Sequence, residues 1–423
     1  VKGLKRWLVR VSLGVTIMAG LTAGGPAQSA SAAVSKVPAR SAYVMDAQSG
    51  QVLYQQNANR KYPIASLSKL LTVYLTVKAI DNGKIKWTDQ VPIDHQLIRL
   101  SHSSVYSSLR MTAKDKFTVK DLVVAAMVAS SNSAASALGD YVAGSNSAFI
   151  DQMNQQSQDW GLDAHFISSS GLDNSDLKDY HYRLPGTGAS EQNLVSAKAI
   201  TVVAQHLLEA DPTITKIASR TQAKVNGTKI YNENSCLPGQ SQYKAASQID
   251  GLKTGYTENA KLCYTATFKV NGERMIATIL GGDTTFSAMN KLIKQVKQTY
   301  QLHATSVNAR TVTLVNGTKV TATPKTSQVG TWTKSQEDAN VKTSFSPQLT
   351  AAELKRGQIE AGDPVGELTV ADQQTGLTQH VTYYAQDTDT LFTSHQAFKT
   401  TKTEPAPLLR TLTTQTAVFA SGL

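Results

Sequence analysis

Two alternating apolar runs, Cys263 to Val270 and Met275 to Leu280, face each other across Asn271-Gly272. Asn-Gly accepts the positive φ angles of the tightest hairpin turn, whose twist matches that of paired strands. The runs therefore predict an antiparallel pair, and such a pair needs further strands and a covering layer to be stable. A second strand-turn-strand signal spans residues 41 to 56 around Asp46-Ala47-Gln48-Ser49-Gly50, and Ile249 to Thr257 carries a third β pattern. Helical signals lie between. Leu67, Leu70, Leu71, Tyr74 and Leu75 recur at helical spacing, which predicts a helix opening at Ser66 with one buried stripe. Thr118 and Asp121 resemble a capping box before the very apolar stretch Leu122 to Val128. Ser130 to Ser133 interrupts that pattern, and Ala134 to Val142 resumes it. Residues 191 to 210 and Ser287 to Tyr300 also read as helices. Strands at both ends with helices between predict an α+β domain over residues 38 to 302, its terminal strands sharing one sheet.

Past residue 304 the pattern changes to short Thr- and Val-rich alternating runs, with turn signals at Asn316-Gly317, Gly362-Asp363-Pro364 and Thr375-Gly376. This predicts a small all-β domain over residues 304 to 392. Residues 393 to 423 read as a linker containing Pro405 and Pro407, then a tail that places Leu408, Leu412, Phe419 and Leu423 near one helical face. Tail and membrane surface are therefore candidate partners, although Arg410 is the tail's one charge. At the other end, basic residues, the apolar stretch Val11 to Gly24 and the small-residue run Ala27 to Ala33 have the layout of a secretory signal peptide over residues 1 to 32. Its apolar stretch is shorter than the roughly 20 residues a spanning helix needs. The expected location is outside the cytoplasm.

With 41% apolar and 17% charged residues in 423, the chain has enough material for a buried core. The net charge is +11, and removing Lys2, Lys5, Arg6 and Arg10 with the first 32 residues lowers the excess to +7. That suits an anionic surface such as a cell wall. No arginine-rich run or interleaved aromatic series points to nucleic acid. The eight histidines form no His-Glu-x-x-His and no cluster, so no zinc site is expected, and two cysteines exclude a disulfide scaffold. Cys236 and Cys263 either pair or remain buried thiols.

The chemistry concentrates in three short motifs. Ser66-Leu67-Ser68-Lys69 puts a hydroxyl and an amine three residues apart on one helical face. Serine becomes a nucleophile when a neighbour takes its proton, and a desolvated lysine can do so. A helix N-terminus beside Ser66 adds positive potential for a developing oxyanion. Two other Ser-x-x-Lys matches, Ser175 to Lys178 and Ser241 to Lys244, lie in stretches without a strong helical pattern. Ser130-Ser131-Asn132 offers a hydroxyl to relay a proton and an amide to hold a carbonyl. Lys253-Thr254-Gly255, inside a β pattern, offers a fixed positive charge and a glycine that lets a ligand approach the strand.

All three motifs, in this order, resemble the signature of the penicillin-recognising serine enzymes. The chain is most similar to the exported D-alanyl-D-alanine carboxypeptidases, the low-molecular-mass penicillin-binding proteins. The likeness extends through Tyr43-Val44-Met45-Asp46, Ile64 to Lys69, Ser170-Gly171-Leu172-Asp173, Asn232-Glu233-Asn234 and Asp250 to Thr257. It continues weakly at Gly362 to Gly366. The resemblance implies a β-lactamase/transpeptidase-like catalytic domain followed by a small β domain, with no cofactor and no metal. It implies Ser66 as acylated nucleophile, Lys69 as its base and Ser130 as proton shuttle. Asn132, Lys253, Thr254, Gly255 and Tyr256 would bind substrate, the amides of Ser66 and Tyr256 forming the oxyanion hole. The implied partners are peptidoglycan stem peptides and, as covalent inhibitors, β-lactam antibiotics. Two residues depart from the family pattern: Ser133 stands where Asp is usual after the asparagine, and no arginine follows Gly281-Gly282 through Ala288. The rival readings are a DD-endopeptidase, a class A β-lactamase using Glu191, and a non-catalytic wall-binding or β-lactam-binding protein.

Overall fold

A computed structural model describes residues 34–314, 317, 319–334, 341–348, 357–372 and 378–390. The expected signal peptide over 1 to 32, the tail from 393, and the turn residues Asn316, Thr375 and Gly376 lie outside the described residues.

The first half is organised by one five-stranded antiparallel sheet. Its strands are β1 (Ser41–Asp46) and β2 (Val52–Gln56) from the start of the chain, then β3 (Gly251–Thr257), β4 (Lys261–Val270) and β5 (Glu273–Gly282). The order across the sheet is β3-β4-β5-β1-β2, so the terminal strands do share one sheet, as predicted. The β4–β5 turn uses Asn271 at φ 51° and Gly272 at φ 90°, the two left-handed residues its hairpin requires. Pairing runs from Val270 opposite Glu273 to Thr265 opposite Thr278. Between β2 and β3 come α1 (Lys69–Asp81), α2 (Val119–Val128), α3 (Asn132–Ala143) and α4 (Ala197–Ala210), and α5 (Thr285–Thr299) follows β5.

Alternation along the strands divides two cores. Tyr43, Met45, Ile276 and Leu280 face α1 and α4 in the larger one. Val44, Tyr264, Ala266, Phe268 and Ile279 face Met289, Leu292, Ile293 and Val296 of α5 in the other. The capping box is formed, with the Thr118 hydroxyl accepting from the Asp121 amide and the Asp121 carboxylate accepting from Thr118.

In one respect α1 departs from its sequence pattern. A single buried stripe was expected, but every residue from Lys69 to Val77 is buried. The helix packs among other helices, chiefly α3 and α4, with α4 between it and the sheet, so even its polar face is enclosed. Its threonines are satisfied internally: Thr72 Oγ1 donates to the Ser169 carbonyl at 2.7 Å and Thr76 Oγ1 to the Thr72 carbonyl at 2.8 Å.

Among the described residues the second half is all β. A five-stranded sheet has Arg310–Thr313, Lys319–Pro324, Thr378–Ala385, Pro364–Asp372 and Val341–Pro347 side by side, while Gln301–Ser306 pairs with Gln328–Thr333. Trp332 leaves this half and packs fully buried in the core beneath α5. Its indole N–H donates to Asp46 Oδ2 at 2.7 Å, and its backbone exchanges two hydrogen bonds with the Gln51 amide. Among the described residues no helix is long and apolar enough to cross a membrane.

Candidate active site

The site is built where the chain turns into α1. Ser66 does not open the α-helix, as its spacing suggested; it lies in a 3-10 turn, Ala65–Ser68, and α1 begins at Lys69. Ala65 has φ 49°, a left-handed conformation that a regular helix cannot include. Two glycines crowd this turn. A Cβ on Gly171, at φ 84°, would stand 2.0 Å from the Ala65 carbonyl oxygen. A Cβ on Gly255 would stand 2.9 Å from the Ser66 nitrogen and 3.1 Å from the Ile64 oxygen. Glycine at 255 thus lets β3 lie directly against the backbone of the serine.

Lys69 is fully buried, and the position of its Nζ is fixed by three oxygens. Nζ lies 2.8 Å from Ser66 Oγ, 2.8 Å from Asn132 Oδ1 and 2.7 Å from the Ser170 carbonyl. Burial, and then the positive charge of Lys253, push Lys69 well below the usual lysine range, while Glu233 acts in the opposite sense. Lys253 is also buried, with Nζ donating to the Thr254 carbonyl at 2.9 Å. Its burial lowers it to about 8, opposed by Glu233.

Asn132 opens α3. Its backbone N–H and its Nδ2 both donate to the Ser107 carbonyl at 2.9 Å, which leaves Oδ1 aimed at Lys69. Ser131 caps the same helix by accepting from Ala134 N, and also accepts from Leu109 N. Ser130 is buried at φ 53° in the break between α2 and α3. Ser133, where the resemblance favours Asp, lies in a cluster with the hydroxyls of Ser131 and Ser108.

The structure therefore joins Ser66, Lys69 and Asn132 by direct hydrogen bonds, and brings Gly255 against the Ser66 backbone. Lys253 reaches Lys69 through its charge, and Thr254 supplies the carbonyl that holds Lys253. Among the described residues no hydrogen bond links Ser130 or the exposed Tyr256 side chain to Ser66 or Lys69. The other Ser-x-x-Lys matches stay outside: Ser175, Lys178, Ser241 and Lys244 are all exposed.

Sequence reasoning missed Asn193, which ties the site together from below. This buried amide accepts from Ile167 N and Ser168 N and donates to Ser168 O and Ser68 Oγ. It locks the segment that presents the Ser170 carbonyl to Lys69. A single asparagine in a loop carries no spacing signal, so nothing in the sequence marked it. Cys236 and Cys263 are buried free thiols that do not pair, each raised to about 12 by burial.

Residues 27–284 match the family described as D-alanyl-D-alanine carboxypeptidase. The chain belongs to this family. It is 29% identical over 252 residues to the Bacillus subtilis (strain 168) D-alanyl-D-alanine carboxypeptidase DacF, covering 58% of each chain. It spans about three fifths of the length of this and similar curated relatives from Escherichia coli. The crystal structure of a peptidoglycan synthesis regulatory factor (PBP3) from Streptococcus pneumoniae superposes with a TM-score of 0.71 at 28% identity, over 84% of this chain and all of that one. Penicillin-binding protein D2 from Listeria monocytogenes, solved in a cefotaxime-bound form, is 28% identical with a TM-score of 0.51, over 62% of this chain and 98% of its own. The fold class expected from the sequence, a transpeptidase-like α+β domain followed by a β-rich one, is the fold observed.

Proposed function

We propose that this family member is an exported serine DD-carboxypeptidase that removes the terminal D-alanine from peptidoglycan stem pentapeptides and is acylated on Ser66 by β-lactams. The observation that carries the reading is the 2.8 Å contact between Ser66 Oγ and a fully buried Lys69 next to a second buried cation. Desolvation and like charge favour the neutral amine, which is the form able to take a proton.

In the proposed reaction, Lys69 removes the Ser66 proton as Oγ attacks the carbonyl carbon of the penultimate D-alanine. Negative charge develops on the carbonyl oxygen, where the amides of Ser66 and Tyr256 would receive it. Ser130 passes a proton to the departing nitrogen, D-alanine leaves, and water hydrolyses the ester that remains. Lys253 and Thr254 hold the substrate's terminal carboxylate, and Asn132 keeps Lys69 aligned while gripping the peptide. The reaction needs no cofactor in this scheme. The domain limits at 38 to 302 and 304 to 392, and peripheral membrane contact through the tail after residue 393, belong to the same reading.

A class A β-lactamase would need a carboxylate poised to activate water near Ser66. Glu191 instead accepts from the Gly188 amide and faces His165, which counts against that rival. The deciding experiment is D-alanine release from a stem pentapeptide, with and without penicillin, with peptide mass mapping of the penicilloyl adduct. An adduct away from Ser66, or release that penicillin leaves untouched, sinks the reading.

A further inference from the structure

At the Lys253 end of the cleft the chain places a negative charge. Glu233, in the loop after the strand Thr228–Tyr231, is exposed yet held in place: its Oε1 accepts from Ser107 Oγ at 3.0 Å. The carbonyl of that same Ser107 takes both hydrogen bonds from Asn132. The carboxylate is thus fixed to the loop that aligns the Lys69 partner, and its field reaches both buried lysines. Among the described residues it has no ion-pair partner. The segment Asp283 to Ala288, where the resemblance calls for an arginine on the carboxylate, supplies none. One cation and one nearby anion therefore stand where a strongly anion-selective pocket would have two cations.

We propose that Glu233 is a specificity-determining residue that reduces selection for a free carboxylate on the leaving group, so that substrates with an amidated or otherwise uncharged leaving side are processed nearly as well. The proposal rests on the carboxypeptidase reading of the site. Its physical basis is simple: at a pH where Lys253 is charged in every variant, which is the pH the test uses, Glu233 cancels part of the attraction that Lys253 exerts on an anion, whereas a neutral group at the same place feels little of either charge.

The test uses the full chain with two pentapeptides, one ending in D-alanine and one in D-alaninamide, in the native protein, Glu233→Gln and Glu233→Arg. A parallel measurement compares Ser66 acylation by a penicillin and by its methyl ester, followed by mass. For the free acid, kcat/KM should rise roughly three- to tenfold in Glu233→Gln, through KM, and further in Glu233→Arg. For the amide it should stay within about twofold. The acid-to-ester acylation ratio should move the same way. Equal effects on acid and neutral partners, or an unmoved ratio, overturn the proposal. Release of nothing by the native protein, with normal acylation at Ser66, defeats the carboxypeptidase reading alone, and the acid-to-ester ratio then decides the role of Glu233. Absence of both release and acylation overturns both.

Discussion

Gly255 lies so close to Ser66 that a methyl group at its Cα would come within 2.9 Å of the Ser66 nitrogen. The strand and the Ser66 backbone are thereby packed directly together, and the donors proposed to meet an oxyanion are set by that packing. Gly255→Ala should force the two apart, costing about 1–3 kcal/mol through overpacking. Acylation should fall further than stability does. Gly171→Ala adds a left-handed backbone to a 2.0 Å clash and should lower Tm more. Calorimetry and penicillin labelling of both variants check this ordering.

Ser66→Ala should abolish penicillin labelling and D-alanine release together. Lys69→Ala should slow acylation by orders of magnitude, with part of the loss recovered at high pH as hydroxide replaces the base. Stopped-time labelling at several pH values measures this.

The pH profile follows from the two lysines. Lys69 must be neutral to accept a proton, so acylation falls as pH drops and protonates it. Because it is lowered, that loss begins below the range of an ordinary lysine. Lys253 must be charged to hold a carboxylate, and its charge is lost as pH rises through about 8. KM for the pentapeptide should therefore rise above pH 8. Arginine keeps its charge there, so Lys253→Arg should remove that alkaline rise in whatever activity it retains.

Asn193→Ala should leave the Ile167 and Ser168 amides without their acceptor. A destabilisation of about 1–3 kcal/mol is expected from the unpaired buried groups. Loosening of the Ser170 carbonyl should also slow acylation, although residue 193 never meets the substrate. Hydrogen exchange at residues 167 to 171 would report the loosening directly.

Trp332→Ala should destabilise the first half, although the residue belongs to the β half, by about 3–5 kcal/mol for a large buried aromatic. A chain ending near residue 303 loses the same anchor. It should remain open to acylation while folded, and unfold at a lower temperature than the full chain.

The hairpin at Asn271-Gly272, the capping box at Thr118 and the three motifs were readable because each is a local rule: a turn with two left-handed residues, a reciprocal cap, a spacing of three. What the sequence concealed was long-range. The stripe on α1 gave no hint that its polar face is enclosed, since that depends on elements as distant in the chain as α4. The 3-10 turn at Ser66 lies against Gly171 and Gly255, which come from elsewhere in the chain. Asn193 and Trp332 are each one residue acting across the fold, and one residue leaves no period to detect.

The sheet order β3-β4-β5-β1-β2 also sets a schedule. Strand β1 is the first piece of the sheet to be synthesised and its neighbour β5 nearly the last of this half, since Ser41 pairs with Leu280. Closing so long a loop precedes any reward from the pairing, which slows assembly. Ser66 meets its wall at Gly255 only after most of the chain has arrived. Until then Ser66 has no strand beside it, so an incomplete chain carries the serine and the lysine but not the assembled site.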